Sequence, residues 1–215
     1  MRRVAAALFL LLSTCLCIGQ TGKVEALGPL TDASAPDSVK SVLETTGHRL
    51  VLDDGSIACE IWLRNKTPVQ PKKDVPNVLY PLLAESTFIG VISFPHLATD
   101  YRGQAIKPGT YTLRYELIPE DGNHLGVTPN RDFVLLVPAA SDLDPDATFK
   151  FDELVNLSRK ATGTRHPGPL SLVQPSRAAG LTKDEEEHWI FSTVLKLASG
   201  KDLPFAVVIK GAAPQ

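Results

Sequence analysis

From Thr110 to Ile118 the chain alternates without a break. Tyr111, Leu113, Tyr115 and Leu117 hold one set of positions; Thr110, Thr112, Arg114 and Glu116 hold the other. A period of two sends successive side chains to opposite faces of an extended strand, and a helix does not gather such a set on one side. A strand with an apolar face needs partners, so the rest of the chain is read for more strands.

They are there. Ile57, Cys59, Ile61 and Leu63 alternate with Ala58, Glu60, Trp62 and Arg64. Residues 48–52 and 56–64 flank Asp53-Asp54-Gly55, and Asp-Gly supplies the positive φ angles of a tight hairpin. Phe88–Phe94 is apolar throughout, as a central strand is. Asp132–Val137 reads as a return strand and Leu170–Val173 as a short one. Four prolines make residues 65–82 a loop. Residues 187–197 and 203–210 read as strand, turn, strand. The first also fits a helix, with Thr182 and Glu185 as a capping box and Ile190, Phe191, Val194, Leu195 and Ala198 as a stripe. Its aromatic and β-branched run favours the strand. One helix stands out near 145–162. Asp144 suits its N-cap, Pro145 its first position, and Gly163 its end. The expected fold is mainly β: an antiparallel β-sandwich, or open barrel, with one ancillary α-helix.

The N-terminus reads as an export signal. Arg2 and Arg3 precede an apolar run from Val4 to Leu12, too short to span a bilayer, and small residues at Cys17 and Gly19 fit cleavage near Gly19. The alternative is a lipoprotein modified at Cys15. The expected organisation is a signal peptide at 1–19, a leader at 20–46, and one sandwich domain at 47–215. Trimming removes Cys15 and Cys17 and leaves Cys59 alone, so no internal disulfide is available and the fold must hold by its core. Trimming also removes two positive charges from a chain whose formal charge is −2, which disfavours a nucleic-acid partner. No later segment is long and apolar enough to span a bilayer.

Motifs with a fixed chemistry are missing. The sequence has no Gly-x-Ser-x-Gly elbow, no His-Glu-x-x-His, no phosphate loop ending in Lys-Ser/Thr, and no dinucleotide fingerprint. Two weaker constellations remain. Asp142, Asp144, Asp146 and Glu153 fall at positions 1, 3, 5 and 12 of a calcium loop, but position 6 is Ala147 rather than Gly, and helix capping accounts for the same residues. The loops at 95–103 and 119–131 carry His96, Asp100, Asp121, His124 and Asp132. If the two loops share an edge, these five make a nitrogen and oxygen cluster for a ligand or divalent metal. Otherwise Asp121-Gly122-Asn123 is a turn, and Arg131 and Asp132 pair across strands with Arg114 and Glu116. Trp62, Tyr101, Tyr111 and Tyr115 are candidates for a stacking platform for sugars or peptides, although core or cross-strand packing is the commoner use of such residues.

Several segments together resemble a known type. They are Gly55–Arg64, Asp100-Tyr101-Arg102-Gly103-Gln104, Lys107–Tyr115, Asp121–Gly126 and Arg131-Asp132-Phe133. Over most of the chain they look like a family of uncharacterised exported bacterial proteins with β-rich domains. The resemblance implies a periplasmic or secreted setting and brings no activity with it.

The function expected from these readings is an exported, non-catalytic binding or accessory module. No cofactor is called for. Its partner would be a small molecule, a glycan or an envelope protein, met by the polar loops at 95–103 and 119–131. One rival is a small metal-dependent hydrolase built on the His/Asp loop cluster. The other is a lipid-anchored structural protein of the envelope.

Overall fold

A computed structural model describes residues 22–72, 75–119 and 130–212. Seven strands form one antiparallel sheet. In chain order they are β1 (Lys23–Leu27), β2 (Gly47–Val51), β3 (Ile57–Leu63), β4 (Phe88–Phe94), β7 (Gly109–Leu117), β8 (Asp132–Pro138) and β9 (Pro169–Ser171), and they lie side by side in that same order. The small β5 (Ala98–Thr99) and β6 (Ala105–Ile106) pair only with each other, in the connection between β4 and β7. A second antiparallel sheet holds β10 (Gly180–Lys183), β11 (Trp189–Lys196) and β12 (Asp202–Lys210). Two helices complete the described chain: α1 (Asp37–Lys40) and α2 (Phe151–Thr162). Neither is long and apolar enough to cross a membrane.

The alternation that opened the sequence reading sorts side chains as expected. Tyr111, Leu113 and Tyr115 enter the main core with Cys59, Ile61 and Leu63 from β3 and Val134 and Leu136 from β8. Phe191, Leu195, Phe205 and Val207 of the second sheet meet them there, so the two sheets pack face to face. The sheets also touch at both margins. Gly22 N–H donates to Leu181 O at 2.9 Å on one side, and Val173 N–H donates to Ala206 O at 3.1 Å on the other. The strands nevertheless do not close into a barrel. Tyr80 spans the gap between sheets: its hydroxyl donates to Val173 O at 3.0 Å and accepts from Ala206 N–H at 2.9 Å. Cys59 lies wholly inside this core, and burial pushes its thiol pKa up, so it packs as an inert side chain.

The other face of the large sheet is covered too. Leu30, Ala35, Val39 and Leu43 pack on Trp62, Phe88 and Val91. Helix α2 lays Leu154 on Phe133, Leu135 and Val137. The segment expected to be a leader therefore supplies an edge strand, a helical turn and the lid of a second core. The Asp-Gly hairpin forms with Gly55 at φ +81°. Residues 189–196 are a strand, paired on both sides by β10 and β12. The Thr182 and Glu185 pattern caps nothing, because residues 184–187 turn sharply between β10 and β11.

The helix start is a correction. It begins at Phe151, not at Pro145. Lys150 is the N-cap, and Glu153 accepts its backbone N–H at 2.9 Å. The predicted end at Gly163 holds, with φ +71°. Asp144 and Pro145 are engaged elsewhere, as described below.

Candidate functional site

The strand ends that bound the two polar loops lie at opposite ends of β7. Strands β4 and β7 are antiparallel, with Phe94 opposite Gly109, so residues 95–108 sit at the beginning of β7. Asp132 sits opposite Leu117 at its far end. The nine residues of β7 separate the two by roughly 27 Å of strand. His96 is exposed at the near end. Asp100 is buried there and closes its own loop, accepting from the N–H groups of Arg102 and Gln104 at 3.0 and 2.8 Å. Burial raises its pKa despite those bonds. Asp132 is buried at the far end and accepts from Tyr115 Oη at 2.7 Å, Leu79 N at 2.8 Å and Tyr80 N at 3.0 Å. It thereby ties the proline-rich loop to the sheet. The pairing of Asp132 with Arg114 is not formed. Asp121 and His124 lie outside the described residues.

The loop at 95–103 is docked rather than free. Tyr101 stacks on His188 with centroids 4.3 Å apart, and its hydroxyl donates to Glu186 at 3.2 Å. Thr99 exchanges hydrogen bonds with Gly211 at the end of β12. The aromatic platform does not assemble either. Tyr111 and Tyr115 belong to the main core, Trp62 to the second core, and Tyr101 to His188.

The acidic run at 142–153 holds a cation, but the cation is an arginine. Arg114 points from β7 into this segment and is fully buried, as is Asp142. Its Nε and Nη2 donate to the two oxygens of Asp142 at 2.8 and 2.6 Å. Nη2 also donates to Asp144 O at 2.7 Å, and Nη1 donates to Ser86 O at 3.0 Å and Ala147 O at 2.9 Å. Phe88 and Phe149 flank the guanidinium at 5.5 and 5.1 Å. Arg64 reaches Pro145 O and the side chain of Asp146. With Asp142 on Arg114, Asp146 on Arg64 and Glu153 on the helix start, the calcium-loop spacing is spent on other partners. Among the described residues no three His, Cys, Asp or Glu side chains converge as metal ligands.

A different group of residues does converge. On the outer face of the large sheet, Glu25, Arg49, Glu60, Ser93 and Thr110 lie directly opposite one another on five successive strands. The register makes them one polar row, with a step of about 4.8 Å from strand to strand. Lys23 donates to Glu25 at 2.6 Å, and Arg49 reaches Glu60 through Nε and Nη2 at 2.9 and 2.8 Å. At the other end Thr110 donates to Asp32 and lies 3.1 Å from Ser93 Oγ. One hydroxyl carries one proton, so Ser93 donates to Thr110, which donates to Asp32. That bond, with the Ser34 N–H at 2.8 Å, holds the Asp32 carboxyl below its usual range. The Lys23 ammonium does the same for Glu25.

The middle of the row, Arg49, Glu60 and Ser93, is the floor of an open cleft of about 370 Å³, with Glu25 and Thr110 beyond its two ends. Segment 27–32 forms one wall, and Arg49, Glu60, Trp62 and Ser93 line the rest. Trp62 is fixed there because its indole N–H donates to Gly28 O at 2.9 Å. Gly47 sits against that indole, where any Cβ would fall within 2.2 Å of Nε1. The volume is at the low end of small-molecule sites, roughly 300–1,000 Å³. Alternation alone places Glu60, Arg64 and Thr110 on the polar sides of their strands; it says nothing of which stand opposite which.

No protein-family model matches the chain, and no curated protein or solved structure is significantly similar to it.

Proposed function

We propose that the chain is an exported binding module, without chemistry of its own, that takes its ligand in the cleft over the Glu25–Thr110 row. The observation that carries this reading is the row itself. A sheet face otherwise used for packing interposes five aligned polar side chains and leaves an open volume above the middle of them, Arg49, Glu60 and Ser93. Their partners are one another, so the donors and acceptors are held in fixed positions before a ligand arrives, which lowers the ordering cost of binding. The signal-like N-terminus supports export.

The test is a mixed library of soluble small molecules and oligosaccharides, screened by amide chemical shifts of the processed chain. The expected hits move Thr31, Asp32, Arg49, Glu60, Ser93 and Thr110 together. Hits that all map to the 95–103 loop or elsewhere overturn the reading. Export is checked separately by fractionation and intact mass: a mature chain beginning at Gln20 is expected, and a diacylated Cys15 would place it on a membrane instead.

A further inference from the structure

We infer that the ligand of this cleft is a neutral, hydroxyl-rich molecule, a saccharide of more than one ring. The inference rests on the binding reading above and goes on to name the ligand class.

Charge decides first. The cleft itself holds Asp32, Glu60 and Arg49, and the row and its flanks add Glu25, Lys23 and, near Asp32, Lys40, so positive and negative charges balance. Glu25 and Glu60 are already neutralised by Lys23 and Arg49. The remaining carboxylate is held chiefly by hydroxyl and amide donors, with Lys40 contributing only a weaker attraction without a hydrogen bond. An anion such as phosphate would meet one guanidinium that is already committed and two carboxylates, Asp32 and Glu60, that repel it. A polycation would have to displace two ion pairs to gain its own. A neutral ligand disturbs neither.

Chemistry decides next. Carboxylates only accept, guanidinium only donates, and the Ser93 and Thr110 hydroxyls do both. Along the row the roles run acceptor, donor, acceptor, then two hydroxyls and a final acceptor. A ligand that answers every position must donate and accept from neighbouring atoms, and a hydroxyl is the group that does so. The step between strands, about 4.8 Å, is comparable with the width of a sugar ring. The aligned Arg49, Glu60 and Ser93 in the cleft span about 10 Å, more than one ring. The cleft is open rather than enclosed, which suits a segment of a chain, and the edge of Trp62 offers an apolar wall beside the polar floor.

The experiment uses the processed chain in a Trp189→Phe background, so that Trp62 is the remaining tryptophan reporter; Trp189 lies in the main core, away from the cleft. Neutral hexasaccharides of β-linked glucose, xylose, mannose and N-acetylglucosamine are titrated while Trp62 fluorescence and the Arg49 Nε–H resonance are followed. Inorganic phosphate and spermidine are titrated in parallel. The expected result is that at least one hexasaccharide moves both signals. Arg49→Ala, and separately Ser93→Ala with Thr110→Val, should weaken that binding at least tenfold while keeping wild-type amide dispersion. Phosphate and spermidine should leave both signals unchanged. If no hexasaccharide moves them, the saccharide inference is overturned. If phosphate or spermidine occupies the cleft instead, the ligand class is wrong and the cleft reading stands. If a hexasaccharide binds but its shifts lie elsewhere and survive Arg49→Ala, the cleft reading itself fails.

Discussion

Arg114 brings five N–H donors into a site with no solvent contact, and the fold meets each of them with an oxygen. A buried ion pair of this kind contributes little net stability compared with an apolar pair of equal volume, but breaking it is costly because one charge is stranded. Asp142→Ala is therefore expected to destabilise by about 3–5 kcal/mol in urea unfolding. Arg114→Met combined with Asp142→Leu should recover much of that loss. Two residues along the same strand, Glu116 is the opposite case. It is 1% exposed, and among the described residues neither carboxyl oxygen meets a donor with good geometry, the backbone of Leu117 and Ser86 offsetting its burial only in part. Burial first, and the nearby Glu85 carboxylate second, push its carboxyl up to about 8 from an ordinary 4.5. Between those two values the folded chain binds more protons than the unfolded one. Stability is fully present below pH 4.5 and falls as pH rises toward 8, by an amount on the order of 5 kcal/mol for this group. Glu116→Gln removes that slope. It should be more stable than wild type at pH 8.5 and little different at pH 4.

At the scale of elements, the strands were legible because their patterns are local. Thr110–Ile118 and Ile57–Arg64 alternate, and both are strands with the expected side chains in the main core. The Asp54-Gly55 turn was legible for the same reason. Gly55 sits at φ +81° with open space where a Cβ would go, so Gly55→Ala should cost about 1 kcal/mol by backbone strain alone, read as a small loss in thermal midpoint. The helix start misled because its cap signals are also loop signals. Asp144 bonds the backbone of Asp146 at 2.9 Å in a turn, and the carbonyls of Asp144 and Pro145 face the two arginines, so the chain stays irregular until Lys150. Nothing within residues 142–150 announces a buried guanidinium from another element.

At the scale of the whole molecule, the segment before β2 is structural. Leu30, Ala35, Val39 and Leu43 cover Trp62, Phe88 and Val91, and β1 completes the row of the cleft. A chain starting at residue 47 is expected to expose that apolar face. It should bind a hydrophobic dye or aggregate, whereas a chain starting at Gln20 should not. The cleft would be lost with the segment, because residues 27–32 are its wall. The two sheets are held by packing and by a few hydrogen bonds at the margins, with Cys59 unpaired inside. Tyr80→Phe removes both bonds of the hydroxyl that joins Val173 to Ala206 and should cost roughly 2 kcal/mol, with a single cooperative transition retained.

By itself the sequence determined which segments are strands, which side chains share a face within each strand, and that a core without covalent staples must hold them. These follow from a period of two and from turn chemistry, both of which act over a few residues. Only the tertiary structure decided that the polar face of β7 is buried, that Arg114 binds Asp142 in the acidic loop, and that polar residues from five strands line up in register, with Arg49, Glu60 and Ser93 beneath a cleft. Cross-strand register is set between segments far apart in the chain by how whole sheets fit their covers, and alternation within one strand carries no record of its neighbour.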